Sequence, residues 1–227
     1  MSGCENCGGK TGCDHRKGNM MAEVEEALAR LYPRKTWGDI DDTMRTGLDE
    51  SESRAVAQTL SAQLKAATFY KPGNEHEFCD YVYVLCQGRQ PSILEIREQE
   101  WGYEGPPLRD LYLRISLSQL APMAAVQEVV MELDIQKDAL LIRELPRAGV
   151  YDAPLLPRFQ KLVAILVDHH ITHVDFGEIC TPPAGFSAGD YPNIYGSQAD
   201  IVNYLFYPQP CHTQVLSNVT AHPTHVM

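Results

Sequence analysis

Apolar residues keep two different periods along this chain, and the switches between them mark its elements. Over residues 22–31, Val24, Ala27, Leu28 and Leu31 recur at the spacing of one helix face, and Pro33 ends the run. Over 54–67, Val56, Leu60 and Leu64 stand four apart behind the cap-forming Asp49 and Ser51, and Pro72-Gly73 closes this second helix. The period then falls to two. Residues 80–86 and 92–97, joined by Gln87-Gly88-Arg89-Gln90-Pro91, predict a hairpin, and further strands are predicted at 111–117, 125–133 and 139–144. A helical stripe returns over 155–167 with Pro154 near its start, followed by a short strand at 171–179. Beyond Cys180 the chain is rich in Pro, Gly, Tyr and His, with one short helix around 200–206.

This order predicts an α+β fold, a mostly antiparallel sheet of four to five strands with packed helices. The domain spans residues 20–180. Before it, residues 1–19 have no hydrophobic period and form an irregular Cys/Gly-rich arm; after it, 181–227 is expected to lie over the body as an irregular tail. At 227 residues and 44% hydrophobic, the body has enough apolar surface to build a core without disulfides or metal.

The formal charge of −11, from 30 acidic and 19 basic side chains, repels nucleic acid and anionic membrane surfaces. There is neither an apolar run long enough for a membrane span nor a signal-peptide core, so a cytoplasmic location is expected. The seven cysteines are an odd number, three of them within the first thirteen residues, which suits metal ligation in a reducing compartment better than a disulfide framework.

The arm carries the clearest chemistry. Cys4, Cys7 and Cys13 have the spacing C-x2-C-x5-C among Gly3, Gly8, Gly9, Gly12 and Gly18. Two intervening residues make one tight turn that lets both sulfurs converge. Glycines let backbone N–H groups approach sulfur. Lys10, Arg16 and Lys17 supply positive charge that favours thiolates.

The fourth ligand decides the metal. His15 would complete a Cys3His zinc set, although its C-x-H step is short. Cys180, beside Thr181-Pro182-Pro183, or Cys211, beside Pro210, would complete an iron–sulfur set, and Cys180 is preferred because it follows a strand end. Gly8-Gly9-Lys10-Thr11 ends like a phosphate loop, but Cys4 stands where the first glycine is required and no strand precedes it. Cys79 and Cys86 have opposite parity on one strand and should face opposite sides of the sheet.

Two further groups stand out. His169, His170, His173 and Asp175 could bind metal or move protons, or the histidines could simply favour the negative end of the preceding helix. Glu95, Glu98, Glu100 and Glu104, interleaved with Trp101 and Tyr103, form an acidic stretch suited to a basic protein partner or to solvent alone. His212, His222 and His225 in the tail are too widely spaced for an assignment.

The expectation is an iron–sulfur accessory or electron-transfer protein acting with a partner such as a redox enzyme. A zinc-stabilised interaction or regulatory protein comes second. A metal-assisted enzyme using residues 169–175 ranks third.

Overall fold

The computed structural model describes residues 11–36, 38–74, 77–98, 103, 105–136, 139–147, 149–150, 153–187, 199–206 and 219–222. They form an α+β fold around one sheet. In chain order the helices are α1 (Thr11–Leu31), α2 (Glu50–Leu64), α3 (Ile93–Glu98), α4 (Leu156–Asp168), α5 (Phe176–Ile179) and α6 (Ile201–Leu205). The strands are β1 (Thr68–Lys71), β2 (Cys79–Gln87), β3 (Leu108–Ser118), β4 (Met123–Gln136), β5 (Ala139–Pro146), β6 (Thr172–Val174) and β7 (Val219–His222). The sheet runs β1-β2-β3-β4-β5-β7 with every neighbouring pair antiparallel, while β6 lies parallel to the start of β4.

Period-two alternation sorts the side chains onto two faces. Val82, Val84, Leu113, Ile115, Leu117, Ala124 and Val126 meet α2 and α4 through Val56, Leu60, Leu162, Ile165 and Leu166. The opposite face, with Tyr81, Tyr83, Tyr112, Val129 and Met131, meets Val24, Leu28 and Leu31 of α1 together with α3, α5 and α6. Helices therefore cover both faces of the sheet.

Local chemistry explains the boundaries. Asp49 and Glu52 form a reciprocal capping box that starts α2, and Lys65, at φ 50°, ends it in the left-handed region. Lys161 of α4 donates to the carbonyl of Gln63 at 2.6 Å, which ties the two helices of that layer.

Several expectations need correction. The second arm of the predicted hairpin is not a strand, because residues 93–98 form α3 and β2 pairs instead with β3. Ser92 and Glu95 explain this. The Glu95 carboxylate accepts from the Ser92 N–H at 2.6 Å and the Ser92 hydroxyl accepts from the Glu95 N–H at 3.4 Å, a capping box that outweighs the strand-like apolar run. Asp110 of β3 reinforces it: its Oδ2 accepts from the Ile93 N–H at 2.6 Å and from the Tyr112 hydroxyl at 3.0 Å.

The predicted strand over 171–179 stops at Val174, because Asp175 accepts from the N–H groups of Gly177 and Glu178 and starts α5. Helix α1 begins at Thr11, inside the arm, and not at residue 22. The sheet also gains β1 and β7, which the sequence pattern did not predict.

The described part of the tail is ordered into the core. Every residue of α6 is buried, and its orphan C-terminal carbonyls are satisfied from three directions: Tyr32 Oη donates to Tyr204 O at 2.8 Å, Ser118 Oγ to Leu205 O at 2.6 Å, and the Phe78 N–H to Phe206 O at 2.7 Å. At its start, the Ile201 N–H donates to Thr181 O at 2.9 Å.

Candidate functional site

Cys4 and Cys7 lie outside the described residues. Cys13 and His15 fall within α1. The side chains of residues 11–19, and with them both candidate ligands, lie outside the described residues. The far half of α1 is fixed in the core by Val24, Ala27, Leu28 and Leu31, and the Thr172 hydroxyl of β6 donates to Glu23 Oε2 at 2.8 Å.

Cys180 follows α5, half-buried against the α1-side core, and is disulfide-bonded. A disulfide sulfur must be reduced before it can serve as a thiolate ligand. Cys79 and Cys86 are free, and they belong to opposite faces of the sheet as their parity predicts. Cys79 is fully buried, and burial pushes its thiol pKa well up. Burial also raises the Cys86 thiol, opposed by the Arg158 guanidinium, which donates to the backbone carbonyls of Leu85 and Cys86 at 3.0 and 3.4 Å.

The histidine-rich turn has structural occupations. His169 is the C-terminal cap of α4, and His170 takes the left-handed position after it at φ 59°. His173 stands edge-on to the Phe159 ring at 5.3 Å, and burial lowers its pKa, with Asp175 pulling the other way. Asp175 caps α5. Among the described residues no group of three or more His, Cys, Asp or Glu side chains could hold a metal ion. Of the acidic stretch, Glu95 caps α3, while residues 99–102 and 104 lie outside the described residues.

One constellation was not foreseen. At the centre of the sheet, on the α1 side, Tyr83, Arg114 and Gln127 are register partners across β2, β3 and β4. The buried Arg114 guanidinium donates to Gln127 Oε1 at 2.5 Å and pairs with Glu144 of β5 at 3.5 Å, and it lies 5.7 Å from the Tyr81 ring centre. The Tyr83 hydroxyl approaches both Glu144 oxygens at 3.4 Å. Gln127 Nε2 donates onward to the Arg147 carbonyl at 3.2 Å, so the group is a buried ion pair with neutral hydrogen-bond partners. The sequence signal was available: Arg114 and Gln127 interrupt their strands at positions whose neighbours two away are buried.

On the α2 side, β3, β4 and β5 line two cavities of about 280 and 270 Å³ that share Arg109. Their linings mix Arg143 and Arg147 with Glu132, Asp134 and Asp110. No helix among the described residues is long and apolar enough to cross a membrane.

The fold defines an α+β protein with helices on both faces of a predominantly antiparallel sheet. No protein-family model, curated protein or solved structure matches this chain.

Proposed function

We propose that this chain is an iron–sulfur accessory or electron-transfer protein whose cysteine arm carries the cluster and whose sheet domain docks a partner enzyme. The donor set fits: three closely spaced thiols among glycines, with lysine and arginine beside them in an otherwise acidic chain. The observation that carries the reading is the anchoring of α1. Among its described side chains, Val24, Ala27, Leu28 and Leu31 are buried in the core and Met20 and Met21 pack against it. A ligand loop on such a helix can reach a partner without disturbing the core. When bound, a cluster there supplies one-electron chemistry; the chain contributes the thiolates, the positive charge that favours them, and the helix that presents them.

The test is anaerobic purification followed by iron and acid-labile sulfide analysis. Brown protein with broad absorbance near 400 nm and stoichiometric iron and sulfide is the expected result. Colourless, iron-free protein after reconstitution overturns the reading, and one zinc per chain without sulfide replaces it with a zinc-stabilised interaction protein.

A further inference from the structure

We infer that the sheet face carrying Arg109, Arg143 and Arg147 is the surface on which the partner docks, and that the partner presents to it an extended acidic segment in which two carboxylates flank an apolar side chain. The inference rests on the docking half of the proposed function and makes no use of the arm.

Strand register lays this face out in rows. Arg109 of β3, Glu132 of β4 and Arg143 of β5 are partners across the sheet, and so, one row along, are Leu111, Val130 and Leu145. In the next row Leu113 stands opposite Glu128, and just past the end of β5 the Arg147 N–H donates to the Glu128 carbonyl at 2.8 Å. Period-two alternation puts all three rows on the α2 side. Arg143, Leu145 and Arg147 therefore follow one another along a single line as cation, hydrophobe, cation.

Burial decides the sign of the charge this surface offers. The Glu128 side chain is 0% exposed and pairs at 2.5 Å with Arg147, which is 43% exposed; Glu132 is 36% exposed against 68% for Arg109, its partner at 3.8 Å. The carboxylates form the floor and the guanidinium groups stand above them. A guanidinium has five N–H donors and one carboxylate engages at most two, so a paired arginine still has donors for a second acid. Between the two cationic ends, Leu145 is 39% exposed, a large side chain with apolar surface left to cover.

Spacing selects the occupant. From Arg143 to Arg147 is four residues, or about 13 Å at about 3.3 Å per residue, and an extended segment lying face-on about 10 Å above the sheet repeats its side chains at the same interval. Acidic, apolar and acidic residues at every second position then meet Arg143, Leu145 and Arg147 in turn. Arg143 lines the cavity of about 280 Å³ and Arg147 the one of about 270 Å³, so each cationic end has a recess beside it for a carboxylate. A nucleic acid fits less well: its dense phosphates meet the field of a chain with net charge −11, and it brings no aliphatic side chain for Leu145.

The full chain is screened against an array of short peptides in which two acidic residues stand two positions either side of a central residue that runs through every side chain. Binding should be strongest with leucine, isoleucine or phenylalanine at the centre and should weaken as salt is raised, because exposed ion pairs are screened. The best peptide is then titrated by fluorescence anisotropy into the wild-type chain and into Arg143→Glu and Leu145→Ser, whose folding is checked by circular dichroism. Arg143→Glu should bind about tenfold more weakly, and one of the two peptides with lysine in place of a single acid should recover affinity for it, a reversal that loss of structure would not give. Leu145→Ser should erase the preference for an apolar centre. No acidic peptide bound, equal binding by wild type and Arg143→Glu, or no recovery by either lysine peptide overturns the inference. Arg143-dependent binding of a single-stranded oligonucleotide in preference to the peptides, or Arg143-dependent self-association in sedimentation, also overturns it, by putting a polyanion or a second copy in the partner's place. Iron and sulfide analysis of the same preparations keeps the two readings apart: a colourless, iron-free chain that binds the peptide refutes the cluster and supports the surface, and an iron-loaded chain that binds none refutes the surface alone.

Discussion

A methyl group added at Gly88 would sit 2.3 Å from Oδ1 and 2.8 Å from Cγ of Asp110. Asp110 has little freedom to move aside, because it is 1% exposed and its Oδ2 already accepts from the Ile93 N–H and the Tyr112 hydroxyl. Gly88→Ala must therefore displace the carboxylate from the start of α3. Two donors then lose their acceptor, at about 1 kcal/mol each and more if they stay buried and unpaired. Against this, replacing glycine restricts the unfolded chain and returns about 0.5 kcal/mol. The expected net loss is about 2 kcal/mol, or a fall of about 4–8 °C in melting temperature for a chain of this size.

Urea unfolding followed by circular dichroism would measure it in the single variants Gly88→Ala and Asp110→Ala and in the double variant. Once Asp110 is truncated, its Oδ1 and Cγ no longer crowd the methyl at 88, and the next near atom is Cδ1 of the Leu85 side chain at 3.1 Å. Gly88→Ala should then cost less than 1 kcal/mol, giving a coupling of about 1.5 kcal/mol. Additive effects of the two substitutions would refute this account of Gly88.

Further outcomes follow from the same geometry. Arg114→Leu should destabilise by about 3 kcal/mol, because it leaves Glu144 without its cation in a mostly buried place, whereas Arg45→Leu, which breaks an exposed pair with Asp42, should cost under about 1 kcal/mol; comparable losses on denaturant unfolding would contradict the contrast. His173 has a pKa held below its ordinary value of 6.5, so the unfolded chain takes up its proton first and stability should decline as pH falls below about 6.5; a pH series should show a flatter profile for His173→Phe, and an unchanged slope would exclude this histidine as the cause. For the proposed cluster, Cys13→Ser should lose bound iron and His15→Ala should retain it; loss of metal from His15→Ala would replace the all-cysteine reading with a Cys3His zinc site.

Where one period governed a long stretch, sequence and structure agree. Strands β3 to β5 and helices α2 and α4 were legible because alternation or a helical stripe ran for several turns or pairs, with Asp49 marking the start of α2. Residues 92–97 misled because Ile93, Leu94 and Ile96, three apolar positions in six, mimic a strand, while the Ser-x-x-Glu signature that decides the matter is local and polar. Asp175 hid a second boundary in the same way by capping α5 inside an apolar run. The short helix expected around 200–206 is α6, but its burial was not legible, because it depends on the distant Tyr32, Phe78 and Ser118. The pairing of Arg114 with Glu144 depends on strand register, which no single segment specifies. For the arm, the thiols and their spacing were evident. That Cys180 is disulfide-bonded was not, since the proximity of two sulfurs is a property of the whole fold.

The seating of α6 has a consequence for biosynthesis. Tyr32 and the Tyr204 carbonyl it binds are separated by 172 residues. A ribosome adding about 5–20 residues per second takes about 10–30 s to travel from one to the other. Throughout that interval the apolar stripe of α1 has been made while the segment that helps bury it has not. The nascent chain must therefore keep that stripe shielded, by transient association with the emerging sheet or with a chaperone, and translation that stalls before residue 201 leaves a product in which α1 is made but incompletely buried.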